Sequence, residues 1–180
     1  KKVVAEFEEE YGVDVEITTF RSEAYDPTSR KPVVRFGRDL HTDLSRRDFT
    51  INSMAASVQD GVIVDPFDGI GDLELRVLRT PLDPDASFSD DPLRLLRAVR
   101  LEDELGFRLD EETESLVREH AEHAGEPAGE RILGELERMS PDGFRRAGDL
   151  GLLAPLGGDL QGLERVDLVR VAGHRVSAGR

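Results

Sequence analysis

Residues 3–7 alternate weakly between apolar and polar positions, and residues 13–20 do so strictly. Val13, Val15 and Ile17 fall on one side, and Asp14, Glu16 and Thr18 on the other. A period of two in β-branched residues predicts strands, and the polar turn at 8–12, ending in Gly12, joins them as a hairpin. Residues 21–39 lack periodicity, contain Pro27 and Pro32, and read as a long loop. In the stretch 43–55, Phe49, Ile51 and Met54 are spaced to anchor a segment to a core, with Ser45 or Asp48 placed to cap a short helix. Residues 58–64 predict a hairpin around Asp60-Gly61. Asp65-Pro66-Phe67-Asp68-Gly69 predicts a turn into a short helix or strand, its glycine at positive φ and its acids capping. Residues 77–79 read as a short strand and 80–88, with two prolines, as a linker.

From residue 89 the period lengthens. Leu93, Leu96 and Val99 recur at helical spacing, Ser89 or Asp90 is placed to cap, Pro92 sits in the first turn and Gly106 ends the helix. Arg94, Arg97 and Arg100 recur every third residue and span about 120° of a neighbouring face. Further helices are predicted over 110–123, with Leu116 and Val117 inward, over 126–139, and from Ser140-Pro141 to Leu150. The Gly-rich residues after Leu156 carry no pattern and read as a loosely ordered tail.

Composition narrows the picture. A chain of 180 residues holds one compact domain or two small ones. No run of about 18 apolar residues predicts a membrane span, and the N-terminus lacks a signal-peptide pattern. The absence of cysteine excludes disulfides and cysteine-based zinc sites and fits a cytoplasmic location. A net charge of −14 argues against capture of nucleic acid by the overall field, so any such contact must come from a local basic patch. Of 24 basic residues 21 are arginine. Bidentate phosphate recognition favours that bias, and so does a GC-rich genome.

The candidate chemistry lies in three places. Arg46-Arg47-Asp48 sets two guanidinium forks, which fit phosphate, beside an aspartate able to orient one of them; a salt-bridged helix start explains the same residues equally well. Asp14 and Glu16, on one face of a strand and roughly 7 Å apart, can help hold a divalent cation or simply face solvent. Ion pairs from Asp90 and Asp91 to Arg94 would explain two acids and one arginine, but not three arginines in register. His120 and His123 are three apart on a helix with no third ligand nearby, and read as surface residues.

Five segments, over roughly residues 3–156, resemble the bacterial-type tRNA nucleotidyltransferase and poly(A) polymerase family. Residues 46–55 resemble its R-R-D-F-T-x-N-A-M-A signature, with Ser53 in place of an alanine. Residues 16–21 resemble its E-V-T-T-F-R strand and residues 65–73 its D-P-F-x-G-x-x-D-L segment. Asp91, Arg94, Arg97 and Arg100 match its E-D-x-x-R-x-x-R-x-x-R helix, with Asp90 where glutamate is usual. Glu130-Arg131-Ile132 and Glu135-Leu136 resemble E-R-I-x-x-E-L.

The resemblance implies an α+β fold. Residues 1–80 would form the C-terminal part of a nucleotidyltransferase head with a small mixed or antiparallel sheet. Residues 81–156 would form an all-α neck that contacts nucleotide and RNA, and 157–180 the start of a body or a disordered tail. The implied activity is RNA 3′-end nucleotidyl transfer, with CTP and ATP as substrates, a tRNA or other RNA 3′ end as acceptor, and Mg²⁺ as cofactor. Glu16 would be a catalytic metal ligand, Arg47 would hold the triphosphate or ribose, Asp91 and Arg94 would read the base, and Arg97 and Arg100 would line the nucleotide site. The family's D-x-D carboxylates precede Glu16 and have no counterpart here. The chain is therefore expected to be N-terminally truncated, inactive alone, and to have a complementary head fragment among its partners. A poly(A) polymerase of the same family is an alternative that the acidic balance disfavours. A non-catalytic nucleotide- or RNA-binding module, or half of a split enzyme, is another.

Overall fold

The computed structural model describes the backbone of Arg21–Ala24 and Val33–Phe36 and, with side chains, residues 39–57 and 59–157. Glu16, the hairpin predicted over 3–20 and the tail beyond 157 lie outside the described residues. Contacts divide the chain into two compact units, residues 1–43 and 44–180.

In the first unit, strands β1 (Arg21–Ala24) and β2 (Val33–Phe36) pair antiparallel, with Arg21 opposite Phe36 and Ala24 opposite Val33. This corrects the long loop expected over 21–39. Pro27 and Pro32 fall between the two strands in sequence, and Val33-Val34-Arg35-Phe36 is β-prone. Helix α1 (Leu40–Ser45) follows, its start marked by the Asp39 carboxylate, which accepts from His41 N at 3.1 Å and from the Thr42 hydroxyl.

The second unit begins with the signature stretch. Phe49 is fully buried, and a 3₁₀ turn over Thr50–Asn52 follows it. Ser53, the departure from the family's alanine, is also fully buried. Its hydroxyl donates to Phe49 O at 2.8 Å, so the extra polar atom is satisfied and its burial carries no orphan penalty. The expected hairpin forms between β3 (Ala55–Ala56) and β4 (Ile63–Val64), with Gly61 at φ +71° in the turn. Its first strand therefore starts before residue 58.

Helix α2 (Gly69–Leu75) is capped by Asp65, whose carboxylate accepts from Gly69 N at 2.8 Å and Ile70 N at 2.9 Å. The positive φ in this turn belongs to Asp68, at 59°, rather than to Gly69. Gly69 is required for another reason: a Cβ there would stand 2.4 Å from Thr50 O. Asp72, which is 3 % exposed, accepts from the Thr50 hydroxyl at 2.7 Å and fixes the signature stretch to α2.

Strand β5 (Val77–Leu78) pairs in parallel with β6 (Arg108–Leu109). Between them lie α3 (Pro84–Asp90) and α4 (Leu93–Leu105). Helix α3 corrects the linker expected over 80–88. Asp83 caps it by accepting from Asp85 N at 3.0 Å, and Pro84 occupies its first turn, where a missing N–H costs nothing. The cap of α4 is Asp91, which accepts from Leu93 N at 3.2 Å, rather than Ser89 or Asp90. Gly106 ends the helix at φ +64°, as expected.

Helix α4 runs through the core of the second unit. Besides Leu93, Leu96 and Val99, it buries Leu95, Ala98 and Leu101, so it is apolar around most of its circumference. Helices α5 (Glu111–Glu119), α6 (Gly129–Leu136), α7 (Pro141–Asp149) and α8 (Ala154–Gly157) complete the unit, with Val117, Ile132, Leu136, Phe144 and Leu156 joining the same core. Fully burying each such side chain contributes about 1.5–3 kcal/mol relative to exposure. The architecture is α+β, mostly helical with small sheets. No helix among the described residues is long and apolar enough to cross a membrane.

Candidate functional site

The signature stretch and the first turns of α4 and α6 enclose a cleft of about 450 Å³. It is lined by Arg47, Asp48, Asn52, Asp91, Leu93, Arg94, Arg97 and Arg131. Four of the six residues predicted from sequence meet there: Arg47, Asp91, Arg94 and Arg97. Arg100 does not line it, and Glu16 lies outside the described residues.

Asp91, Arg94, Arg97 and Arg100 each have definite partners. Asp91 Oδ1 accepts from Leu93 N, and its Oδ2 accepts from Arg131 Nη2 at 3.0 Å. Asp91 thus pairs with Arg131 on α6 and not with Arg94 on its own helix. Arg94 reaches backward: Nη1 donates to Ser87 Oγ at 2.7 Å and Ser87 O at 3.2 Å, and Nη2 donates to Arg46 O. Three of its five N–H donors are thus engaged, so the guanidinium is fixed while the Nε and one Nη2 hydrogen find no acceptor among the described residues.

Asp48 orients Arg97, from 49 positions away, rather than the arginine next to it. Arg97 Nε donates to Asp48 Oδ2 at 2.9 Å, and Arg97 Nη1 lies 3.4 Å from Glu135 Oε1. Asp48 Oδ1 accepts from Phe49 N at 2.9 Å and Asn52 Nδ2 at 3.1 Å. Burial opposes the charge on Asp48, but the Arg97 guanidinium and these donors outweigh it and hold the carboxyl below its ordinary value. Burial likewise opposes the charge on Arg97, and Asp48 with Glu135 outweighs it, raising the guanidinium further.

The sign of the consequence is definite. A depressed folded pKa gives stability that is fully present above the ordinary value of 3.8 and is lost as pH falls through the lower folded value. The stability gap between the protein and its Asp48→Asn variant should therefore narrow as pH falls from about 5 to about 2. Chemical denaturation across that range checks this, and a constant gap would show that folding does not lower the Asp48 pKa.

Arg100 is 2 % exposed and runs away from the cleft. It donates through Nε to Glu135 Oε2 and through Nη1 to Glu104 Oε2, and Glu104 in turn accepts from Arg138 Nε at 3.0 Å. Asp48, Arg97, Glu135, Arg100, Glu104 and Arg138 therefore form one line of alternating charges from the cleft to the far side of α4. Sequence spacing alone does not reveal Asp48, Glu135, Ser87 or Arg131 as parts of this machinery. The signal for Glu135 and Arg131 lay in the E-R-I-x-x-E-L segment, whose positions carry no role until α6 is placed against α4.

His120 is also less exposed than expected. Its side chain is 13 % exposed, and Nε2 meets Asp85 Oδ1 at 2.7 Å, tying α5 to α3. Among the described residues no group of three or more His, Asp or Glu can hold a metal ion.

A family model described as the poly A polymerase head domain matches residues 1–79. Two curated relatives are CCA-adding enzymes. One, from Geobacillus sp. (strain WCH70), is 42 % identical over 129 residues, covering 71 % of this chain and 32 % of the relative. The other, from Lacticaseibacillus paracasei, is 41 % identical over 140 residues, covering 77 % and 35 %. The chain thus spans about a third of the length of these curated relatives. Among solved structures, it is similar to the Bacillus stearothermophilus CCA-adding enzyme in complex with CTP. The TM-score is 0.67 at 36 % identity, covering 86 % of this chain and 38 % of that one. A Thermotoga maritima CCA-adding enzyme complexed with tRNA matches with a TM-score of 0.60 at 35 % identity, covering 65 % and 30 %.

Proposed function

The chain belongs to the bacterial-type tRNA nucleotidyltransferase and poly(A) polymerase family, and from that premise we propose that it supplies the base-reading cleft of an enzyme that adds CMP and AMP to tRNA 3′ ends. The observation that carries this reading is the convergence of Arg47, Asp91, Arg94 and Arg97 on one cleft from segments more than 40 residues apart. Their chemistry is complementary to the two bases. Cytosine and adenine each present an exocyclic amine donor beside a ring-nitrogen acceptor. Asp91 can only accept, and Arg94 can only donate through the N–H groups its protein partners leave over. Uracil and guanine carry an N–H at the ring position, which would face a donor, and a buried mismatch of that kind is rejected strongly.

In this reading the 3′-hydroxyl oxygen of the RNA attacks the α-phosphorus of CTP or ATP. A new phosphodiester P–O bond forms, the α–β bridging P–O bond breaks, pyrophosphate leaves, and the hydroxyl proton passes to solvent or a base. Arg47, at the open side of the cleft, would neutralise phosphate or bind ribose, with Arg97 beside it. Arg100 acts on this site only through Glu135 and Arg97. Glu16, the expected magnesium ligand, falls outside the described residues. A cytoplasmic location is part of the same proposal.

The test is extension of a tRNA ending before its CCA by the protein carrying this sequence, supplied with each nucleotide in turn. Incorporation of C and then A, without U or G, supports the reading. A-only extension would assign the chain to a poly(A) polymerase instead, and failure to bind any nucleotide would leave a structural module.

A further inference from the structure

We propose that Arg131 is a specificity-determining positioning residue, which holds Asp91 in the one orientation that recognises an exocyclic amine. The inference rests on the base-reading role given to Asp91 above and adds a residue to it. Asp91 stands at the N-terminus of α4 with both carboxylate oxygens engaged. Oδ1 is turned inward to Leu93 N at 3.2 Å, where it caps the helix. Oδ2 is met by Arg131 Nη2 at 3.0 Å, and both residues line the cleft.

Arg131 comes from the first turn of α6, 40 residues further along the chain, so its placement depends on tertiary packing. The Asp91 side chain is 32 % exposed and the Arg131 side chain 51 %. An aspartate this open, held only by its own cap, is free to turn Oδ2 away from the base. A guanidinium fixing Oδ2 removes that freedom before the nucleotide arrives. A carboxylate oxygen has two lone-pair sites, so Oδ2 can keep Arg131 and still accept from the amine of cytosine or adenine. The order is Arg131, Asp91, base: the base touches the aspartate, and the arginine acts through it. Preorganisation of this kind appears as discrimination, because a base lacking the amine gains nothing from a fixed acceptor.

The opposite arrangement, in which Arg131 blocks Oδ2 and must be displaced, predicts the opposite result. The test measures CTP, ATP, UTP and GTP affinities by competition on the purified protein and on Arg131→Ala and Arg131→Lys, with thermal melts confirming that each is folded. Arg131 is exposed at a helix start, so Arg131→Ala should melt close to the parent. Its CTP-over-UTP preference should fall about tenfold, the order lost with one charge-assisted hydrogen-bond partner, and Arg131→Lys should restore most of it. Tighter CTP binding by Arg131→Ala would identify Arg131 as a competitor and overturn the proposal. An unchanged ratio in a folded Arg131→Ala protein that still prefers CTP would overturn it while leaving the function reading intact. Absence of any preference in the parent protein would overturn the function reading and this proposal with it.

Discussion

Replacing Glu135 with alanine is expected to destabilise the unit spanning residues 44–180 by about 3–5 kcal/mol, the usual cost of removing one member of a buried charge pair. Glu135 is 8 % exposed and binds two arginines at once, Arg97 at the cleft and Arg100 beneath it. The Arg100 side chain is 3 % exposed, and without Glu135 its remaining partner is Glu104, itself shared with Arg138. A guanidinium cannot shed its proton to escape burial, so the cost falls on the folded state. At roughly 2–4 °C per kcal/mol for a unit of this size, the melting temperature should drop by about 6–20 °C. Glu135→Gln, which keeps an acceptor but not the charge, should lose less. A change below about 1 kcal/mol would place this ion line among exposed, well-solvated pairs and remove it as the support of the cleft.

Replacing Arg94 with alanine should lower discrimination between CTP and UTP, and between ATP and GTP, by about 1–3 kcal/mol, the range for one lost hydrogen bond to a charged group. The structure sharpens the alternative. Arg94 is not paired with Asp91; it ties Ser87 on α3 to the Arg46 carbonyl of the signature stretch. If that is its whole role, Arg94→Ala lowers the melting temperature and leaves the four nucleotide ratios unchanged. If one of its two remaining N–H donors meets the ring nitrogen of the base, the ratios collapse as well. Competition kinetics with all four nucleotides separate the two, because stability and base choice are read from the same samples.

What was legible in the sequence was what local chemistry determines. The period of Leu93, Leu96 and Val99, the stop at Gly106 and the Ser140-Pro141 start are short-range signals, and each appears in the fold. The cleft residues Arg47, Asp91, Arg94 and Arg97 came from motif resemblance, and the structure brings them together. What remained illegible was set by contacts far apart in sequence. The three-residue spacing of Arg94, Arg97 and Arg100 suggested one equivalent row. In fact Arg94 turns back to α3, Arg97 faces Asp48 and Glu135, and Arg100 is buried behind the cleft, since about 100° per residue carries the row around a helix that is enclosed on most sides. Asp48 looked like a partner for its neighbours, and only the fold supplies Arg97. The pairing of 21–24 with 33–36 and helix α3 are hidden in the sequence because proline is a loop signal that a helix start accepts equally well, as at Pro84.

The most direct measurement of the central claim is the structure of this protein with CTP bound. The account predicts the cytosine in the cleft between the signature stretch and α4, its exocyclic amine about 3 Å from Asp91 Oδ2 and its ring N3 at a similar distance from an Arg94 nitrogen. Cytosine seated against α5 or α7, or in this cleft with its edge turned away from Asp91 and Arg94, would contradict it.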